Sequence, residues 1–232
     1  MPTNTDTRVA AASRAALVAG ASGLVGSHCL RLLLAEPAYQ RVTALVRREL
    51  PLRHPKLVQR VVDFDRLAEL GDFPRVDDVF CCLGSTIRRA GSQEAFRRVD
   101  FTYVHELAHV ASRYRAARFL LVSSLGADPR SRVFYSRVKG EVEEAVRRVA
   151  FEGVHVFRPS LLTGTRTEPR LGERIGIVVA AVLSPLMIGP LRPYRPIRAE
   201  TVARAMIRVA LEGQRGTHVY RSDEIARLAT RR

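Results

Sequence analysis

A tyrosine and a lysine four residues apart are the residues of this chain whose types and spacing best suit catalysis. They are Tyr135 and Lys139, in the segment Tyr-Ser-Arg-Val-Lys. Positions i and i+4 of a helix share a face, so a phenol and an ammonium at this spacing reach one ligand. A neighbouring positive charge favours the phenolate and lowers the pKa of a tyrosine from its usual value of about 10. The pair is therefore suited to exchanging a proton with a substrate oxygen.

The choice of lysine at this position is unusual for the chain. Only Lys56 and Lys139 are lysines among 38 basic residues, which indicates that a compact ammonium is needed at Lys139. The alternative is an exposed tyrosine beside a solvated lysine.

Two neighbouring serines, Ser123 and Ser124, close the apolar run that begins at Arg118. Ligands of open parallel sheets bind at the carboxyl ends of the strands, where a hydroxyl can donate to a carbonyl oxygen. The alternative is that both serines hydrogen-bond their own backbone.

A glycine-rich turn follows the apolar run at residues 15–19 and opens a helix. A strand, such a turn and a helix N-terminus together form a site for a dinucleotide diphosphate. Gly20 permits the tight turn, Gly23 keeps the phosphate path open, and Gly26 lets the helix approach the strand. The predicted contacts of this loop are Gly20, Ser22, Gly23, Leu24, Val25 and Gly26.

The residues after the second predicted strand favour NADP(H) over NAD. An NAD site usually has a carboxylate there for the ribose hydroxyls, whereas this chain has Arg47 and Arg48. A guanidinium matches the additional phosphate of NADP in a forked geometry. The alternative is that both are ordinary surface arginines.

Further cofactor contacts are predicted where the third and fourth strands end. After the third strand, Asp63 is a candidate acceptor for the adenine amino group, or else a helix cap, a role that Asp65 fits better. The other predicted contacts at these two strand ends are Phe64, Leu83, Gly84, Ser85 and Thr86. Cys81 and Cys82 are interpreted as buried strand residues. No metal site is predicted.

Apolar runs alternate with amphipathic segments along the chain, which predicts an α/β fold with a doubly wound parallel sheet. Residues 1–13 are expected to form a flexible tail, and 14–232 a single Rossmann domain whose smaller lobe, 160–232, covers the substrate. The predicted strands are 15–19, 42–46, 57–62, 76–83, 118–123 and 154–157, and the predicted helices are 24–34, 65–70, 93–115, 135–150 and 200–211.

Charge and composition restrict the partners. The net charge is +15, but the arginines are scattered along the chain and no aromatic residues interleave them. A general preference for arginine codons, as in a G+C-rich genome, is therefore favoured over nucleic-acid binding as the explanation of the charge. Three cysteines and no recognisable signal peptide predict a reduced, cytoplasmic protein. The apolar stretch 175–189 is too short to span a bilayer. It is expected in the core or the pocket wall, and peripheral membrane contact is the less favoured alternative.

Taken together, the chain resembles the short-chain dehydrogenase/reductase superfamily, and within it the atypical members related to the HIV Tat-interacting protein. The resemblance covers residues from about 16 to about 210. The motifs that carry it are Gly20-Ala21-Ser22-Gly23, Val61-Val62-Asp63-Phe64, Phe80-Cys81-Cys82-Leu83-Gly84, Val99-Asp100, Ser123-Ser124-x-Gly126-Ala127-Asp128, Tyr135-x-x-x-Lys139, Val138-Lys139-Gly140-Glu141-Val142-Glu143 and Phe157-Arg158-Pro159.

This resemblance implies a Rossmann fold that binds NADP(H), and it implies roles for single residues. Tyr135 would be the acid/base, Lys139 would bind the nicotinamide ribose, and Ser124, or alternatively Ser123, would orient the carbonyl. Asp100 occupies the helix in which the superfamily has a catalytic asparagine. The nicotinamide end would be lined by Pro159, Leu161 and Leu162.

The function predicted from these features is an NADP(H)-dependent oxidoreductase that acts on an apolar carbonyl or alcohol. The alternative is an NADP(H)-binding regulatory protein with little catalysis. A third, less favoured hypothesis is charge-driven binding to nucleic acid or a membrane surface. Either a monomer or a homodimer is compatible with the sequence.

Overall fold

A parallel sheet of seven strands forms the centre of the computed structural model, which describes residues 13–164 and 193–231. The strands are β1 (Arg14–Ala19), β2 (Tyr39–Val46), β3 (Leu57–Val61), β4 (Asp78–Cys81), β5 (Arg118–Val122), β6 (Gly153–Arg158) and β9 (Gly216–Arg221). Their spatial order is β3-β2-β1-β4-β5-β6-β9, and each neighbouring pair is parallel. The order reverses between β1 and β4, where open α/β sheets bind ligands.

Helices cover both faces of the sheet. They are α1 (Leu24–Ala35), α2 (Ile87–Ala90), α3 (Gln93–Arg97), α4 (Tyr103–Arg113), α5 (Phe134–Arg147), α6 (Ala199–Glu212) and α7 (Ser222–Thr230). A separate pair of short parallel strands, β7 (Leu162–Thr163) and β8 (Ile197–Arg198), follows β6 in the chain.

The alternation of side chains along β1 explains the two layers. Ala16 and Val18 belong to one apolar core with α1 and α6, whereas Leu17 and Ala19 belong to a second core with α4 and α5. Successive side chains of a strand point to opposite faces, so a continuous apolar strand has to be covered on both. The predicted doubly wound α/β fold is confirmed.

Two of the predicted helices differ in detail from the helices in the structure. The predicted helix at 93–115 is interrupted by a π-helical turn at Arg98–Thr102, and the segment after β3 is a 3-10 helix at Phe64–Glu69. Asp63 caps this 3-10 helix by accepting from the backbone N–H of Asp65 at 2.9 Å. The interpretation of Asp65 as the cap was therefore wrong, because the helix begins one residue earlier than its pattern indicated.

The last strand and helix, β9 and α7, were not predicted. Residues 1–12 of the expected tail and the apolar stretch at 175–189 lie outside the described residues. The division of the chain into a tail, a domain and a covering lobe stays a prediction.

Candidate functional site

The turn between β1 and α1 has a backbone that only glycine fits at its first position. Gly20 has a φ of +83°, and a Cβ there would lie 2.4 Å from the carbonyl oxygen of Cys82. The positive φ is strained for other residues, and the contact leaves no room for a side chain. The turn is thereby held against the residue that follows β4.

The start of α1 lies equally close to the turn. A Cβ on Gly26 would be 2.1 Å from the carbonyl oxygen of Gly20, and the N–H of Gly23 donates to the same oxygen at 2.9 Å. The first N–H groups of a helix have no acceptor within the helix, and the first turn of α1 carries no acidic side chain. This cradle of backbone N–H groups fits the diphosphate of a dinucleotide.

The other predicted contacts of this turn differ in exposure. The side chain of Ser22 is exposed, Leu24 is partly exposed, and Val25 is buried. Only the backbone of Val25 is therefore available to a ligand in this structure.

The predicted catalytic pair lies on α5, with its two members in different environments. Tyr135 is partly exposed, and its ring lies 5.3 Å from the ring of Phe96 on α3. Lys139 is only 5% exposed. Gly140, the next residue, lets α5 approach the chain before it, since a Cβ there would lie 2.1 Å from the backbone nitrogen of Pro129.

The buried ammonium of Lys139 is paired directly with a buried carboxylate. Its Nζ lies 2.8 Å from Oδ1 of Asp100, while Oδ2 of Asp100 accepts from the backbone N–H of Ser85 at 2.8 Å. Burial opposes the charge of Lys139, but the nearby Asp100 and Tyr135 raise the pKa of the ammonium above its ordinary value. A Cβ on Gly84 would lie 3.3 Å from Oδ1 and 3.5 Å from Nζ, so the missing side chain gives this pair its space.

The two serines after β5 have different surroundings. The hydroxyl of Ser123 donates to Oε1 of Glu143 at 2.5 Å. The Oγ of Ser124 is buried and has no hydrogen-bond partner in the described part of the chain. A buried hydroxyl without a partner is costly, which is a reason to expect a ligand atom beside it. The structure thus favours Ser124 over Ser123 for contact with a substrate.

Glu143, which binds Ser123 and not Ser124, was not predicted from the sequence as a residue of the site. It is 1% exposed and also accepts from Arg158, at 2.6 Å from Nη2, and from Arg147 at 3.2 Å. One available signal is its spacing, because Glu143 lies four residues after Lys139 and therefore on the same face of α5. Its partners Ser123 and Arg158 come from the end of β5 and from β6, and no local pattern reveals these two, whereas Arg147, four residues later on α5, is a local partner.

The two arginines proposed to select the cofactor, Arg47 and Arg48, are exposed directly after β2. Neither side chain has a partner among the residues that the structure describes. They lie at the carboxyl edge of the sheet, as predicted, and both guanidinium groups are available to a phosphate.

The residues after β3 and β4 have structural roles in addition to their predicted ones. The ring of Phe64 is buried against Tyr103, so only its backbone is available to a cofactor. Thr86 caps α2 by accepting from the N–H of Arg89 at 3.2 Å. Leu83 is partly buried against the second core.

The residues predicted at the nicotinamide end directly follow β6. Pro159 is buried, whereas Leu161 is 46% exposed and Leu162 begins β7. A Cβ on Gly164 would lie 3.0 Å from Cδ1 of Leu24, which brings this segment against the start of α1. Gly164 thus lies beside the helix that follows the glycine turn, and the role of Pro159, Leu161 and Leu162 at the nicotinamide end stays a prediction.

Within the described ranges, 13–164 and 193–231, none of the helices combines the length and the apolar character that crossing a membrane requires.

Comparison with known proteins places this geometry in a family. Residues 16–221 match the model of a protein family that is described as "NAD dependent epimerase/dehydratase family". The rat protein HTATIP2 is 39% identical over 165 residues, which are 69% of this chain and 68% of the relative. The protein fmp52 of Emericella nidulans is 33% identical over 71% of this chain and 73% of its own length.

Solved structures agree on the fold. MoeE5 in complex with UDP-glucose and NAD has a TM-score of 0.67 at 19% identity, covering 92% of this chain and 80% of its own. Human epimerase family protein SDR39U1 (isoform 2) with NADPH has a TM-score of 0.59 at 17% identity, covering 88% and 72%.

The relatives correct one prediction and identify the family. Several fungal relatives, including those of Emericella nidulans and Candida albicans, are named mitochondrial proteins. The expectation of a cytoplasmic protein, which rested on few cysteines and no recognisable leader, is therefore wrong. The match over residues 16–221 and the relatives above 30% identity show that this chain belongs to the NAD dependent epimerase/dehydratase family, whose members include atypical short-chain dehydrogenases/reductases.

Proposed function

We propose that this protein is an NADP(H)-dependent oxidoreductase that interconverts a carbonyl compound and an alcohol. The observation that carries the proposal is the unpartnered, buried hydroxyl of Ser124, at the same sheet edge as the phenol of Tyr135 and the glycine turn. The structural neighbours named with NAD or NADPH support a nicotinamide cofactor. The bound nicotinamide would supply or accept the hydride.

The chain's own residues would handle the proton. During reduction, Tyr135 donates its phenolic proton to the substrate oxygen, and the hydroxyl of Ser124 donates a hydrogen bond to the same oxygen. The charge of Lys139 stabilises the phenolate that remains, which then recovers a proton from solvent. The buried carboxylate of Asp100 fixes the position of Lys139 through their 2.8 Å contact.

The preference for NADP(H) is proposed from Arg47 and Arg48. Their guanidinium groups are exposed after β2, and a phosphate there would gain charge-assisted hydrogen bonds. We expect NADPH to bind at least about tenfold more tightly than NADH in isothermal titration calorimetry.

The Tyr135→Phe variant tests the catalytic assignment. Without the phenolic proton, kcat for NADPH-dependent reduction of aldehydes, ketones or quinones is expected to fall at least about 100-fold. The dissociation constant of NADPH should change little, because the ring is retained.

A matched control removes a phenol elsewhere. Tyr114 donates to the carbonyl oxygen of Gly71, at the amino edge of the sheet, so Tyr114→Phe should leave kcat nearly unchanged. Full turnover by Tyr135→Phe would overturn the assignment. Tight NADPH binding with no turnover of any compound in the panel would favour a regulatory protein instead.

A further inference from the structure

Arginines on the helices of this protein are largely neutralised by acidic neighbours. Several pairs join an arginine to a carboxylate one helical turn away, which stabilises a helix and removes the positive charge from its surface. These pairs are Arg147 with Glu143, Arg148 with Glu144, Arg204 with Glu200 and Arg227 with Asp223.

Four arginines near Tyr135 are different. Arg88 and Arg89 lie on α2, which follows β4, and Arg130 and Arg132 lie between β5 and α5. All four are exposed, and none has a hydrogen bond or ion pair from its side chain to another residue of the described ranges. All four therefore lie at the carboxyl edge of the sheet with no compensating carboxylate among the described residues.

The elements that carry the two arginine pairs are connected to the region of Tyr135 in different ways. Tyr135 follows Arg132 by three residues in the chain. The segment between β5 and α5 contacts α5 through a hydrogen bond of 3.0 Å, in which the N–H of Asp128 donates to the carbonyl oxygen of Ser136. On the other side, the ring of Tyr135 contacts Phe96 of α3, and α3 follows α2 after two residues.

The acidic groups of this region are already occupied. Glu141 binds Arg97 and Arg137, Glu94 binds Arg98, and Asp100 is buried against Lys139. Asp128 remains exposed, with Oδ1 accepting from the backbone N–H of Arg130 at 2.9 Å. Among the described residues this edge of the sheet thus carries four exposed arginines without an acidic partner and one exposed carboxylate, that of Asp128, which favours a positive potential there.

We propose that the carbonyl substrate carries an anionic group, a carboxylate or a phosphate, and that Arg88, Arg89, Arg130 and Arg132 bind this group while Tyr135 faces the carbonyl. This inference rests on the proposed function. Guanidinium groups bind both anions in a forked geometry, and a mouth of one sign of charge concentrates ligands of the opposite sign. The substrate then has a charged end as well as the apolar body expected from the sequence.

Matched pairs of aldehydes test the proposal. The carboxylate arm compares 4-carboxybenzaldehyde with its methyl ester, and the phosphate arm compares glyceraldehyde 3-phosphate with glyceraldehyde. The intact protein with NADPH is expected to have a kcat/KM at least about tenfold higher for the anionic member of one pair, mainly through KM. This preference should decrease as salt is added.

A double variant and a matched control locate the effect. Arg130→Gln with Arg132→Gln should reduce the preference about tenfold and leave the NADPH dissociation constant unchanged. The control, Arg75→Gln with Arg115→Gln, removes the same charge from arginines that precede β4 and β5 at the opposite edge. It should leave the preference as in the wild type.

A binding measurement avoids the dependence on turnover. In calorimetry without cofactor, 4-carboxybenzyl alcohol should bind more tightly than benzyl alcohol, and only the first double variant should abolish the difference. Equal use of both members of each pair, or equal effects of both double variants, would overturn the inference while leaving the proposed function intact. If NADPH does not bind and no aldehyde is reduced, both fall.

Discussion

Ser123 and Ser124 are chemically identical neighbours with different surroundings, and from these we infer different roles. Glu143 accepts the hydroxyl hydrogen of Ser123, and the hydroxyl of Ser124 has no partner within the described chain. The sequence left both as candidates for orienting the carbonyl. Only the position of Glu143, brought from α5 to the end of β5, distinguishes them.

Removing each hydroxyl should therefore have opposite consequences. Ser124→Ala is expected to lower kcat about 100-fold, because it removes a donor to the reacting oxygen, and to change the free energy of unfolding little. Ser123→Ala should lower that free energy by about 1 kcal/mol, because Glu143 loses a hydrogen bond, and should largely retain kcat. Urea denaturation and steady-state kinetics of both variants check this, and the reverse pattern would exchange the two roles.

The buried pair of Asp100 and Lys139 gives a second prediction at this scale. Asp100→Asn leaves a buried ammonium without its counter-charge and should lower the free energy of unfolding by about 3 kcal/mol. In the double variant Asp100→Asn with Lys139→Met, no unpaired charge remains. Its loss should be smaller than the sum of the two single losses in a double-mutant cycle. Additive losses would mean that the 2.8 Å contact contributes nothing.

At the scale of single residues, the sequence predicted the shared helical face of Tyr135 and Lys139 because that relation is local. The sequence also predicted that Asp100 lies in a neighbouring helix, but it did not predict the direct contact of Asp100 with Lys139. That contact depends on how α5 packs beside the π-helical turn at Arg98–Thr102.

At the scale of elements, the strands that are buried on both faces were predicted, and of the two edge strands β3 was predicted whereas β9 was not. β1 and β5 could be predicted because each is a continuous apolar run in the sequence. β9 reads Gly-Thr-His-Val-Tyr-Arg and is at most partly buried, since it lies at the edge of the sheet. Its signal is therefore too weak to separate it from a loop, and α7, which follows it, was missed with it.

The junction of β6 and β9 predicts how stability depends on pH. His155 is buried beside His218, and burial, with this second histidine and Arg118, lowers the pKa of His155 to about 4. The unfolded chain binds a proton near pH 6.5 and the folded chain does not, so the stability contributed by neutral His155 is present above that pH. It is lost as the pH falls from about 6.5 to about 4.

The size of this effect is about 3 kcal/mol at most. His155→Gln should reduce the difference between the unfolding free energies at pH 7 and pH 4.5, measured by urea denaturation, by up to this amount. The difference between the two pH values is the relevant quantity, because the variant also loses the contacts of His155 with Tyr220 and Gln214. An unchanged difference would contradict the assignment.

The close approach of α1 to the glycine turn gives a prediction with an internal control. Gly26→Ala places a methyl group 2.1 Å from the carbonyl oxygen of Gly20, which should lower the free energy of unfolding by about 2 kcal/mol and weaken NADPH binding. Gly71→Ala adds the same methyl group with nothing within 4 Å, so its effect on both quantities should be small. Equal effects of the two substitutions would show that the close contact is unimportant.

At the scale of the whole molecule, the parallel order of the strands brings distant residues to one edge. The glycine turn after β1, the arginines after β2, Asp100 after β4 and the serines after β5 are far apart in the chain. The alternation of strands and helices predicted this convergence, because parallel strands all end at the same edge. The family match over residues 16–221 agrees with it, whereas the location in the cell could not be inferred from composition.

The net charge also has a different meaning at this scale than in the composition alone. Several helical arginines are paired with acidic residues, while Arg88 and Arg89 of α2 and Arg130 and Arg132 before α5 have no side-chain partner in the described ranges. The order of residues along the chain could not show which arginines are paired and which of the others share one edge of the sheet.

A crystal structure of the protein with NADPH tests the central claim most directly. We expect the diphosphate to lie about 3 Å from the backbone N–H groups of residues 23–25, with the nicotinamide directed toward the hydroxyl of Tyr135. A turn that stays empty in the presence of NADPH, or a cofactor bound elsewhere on the protein, would contradict the account.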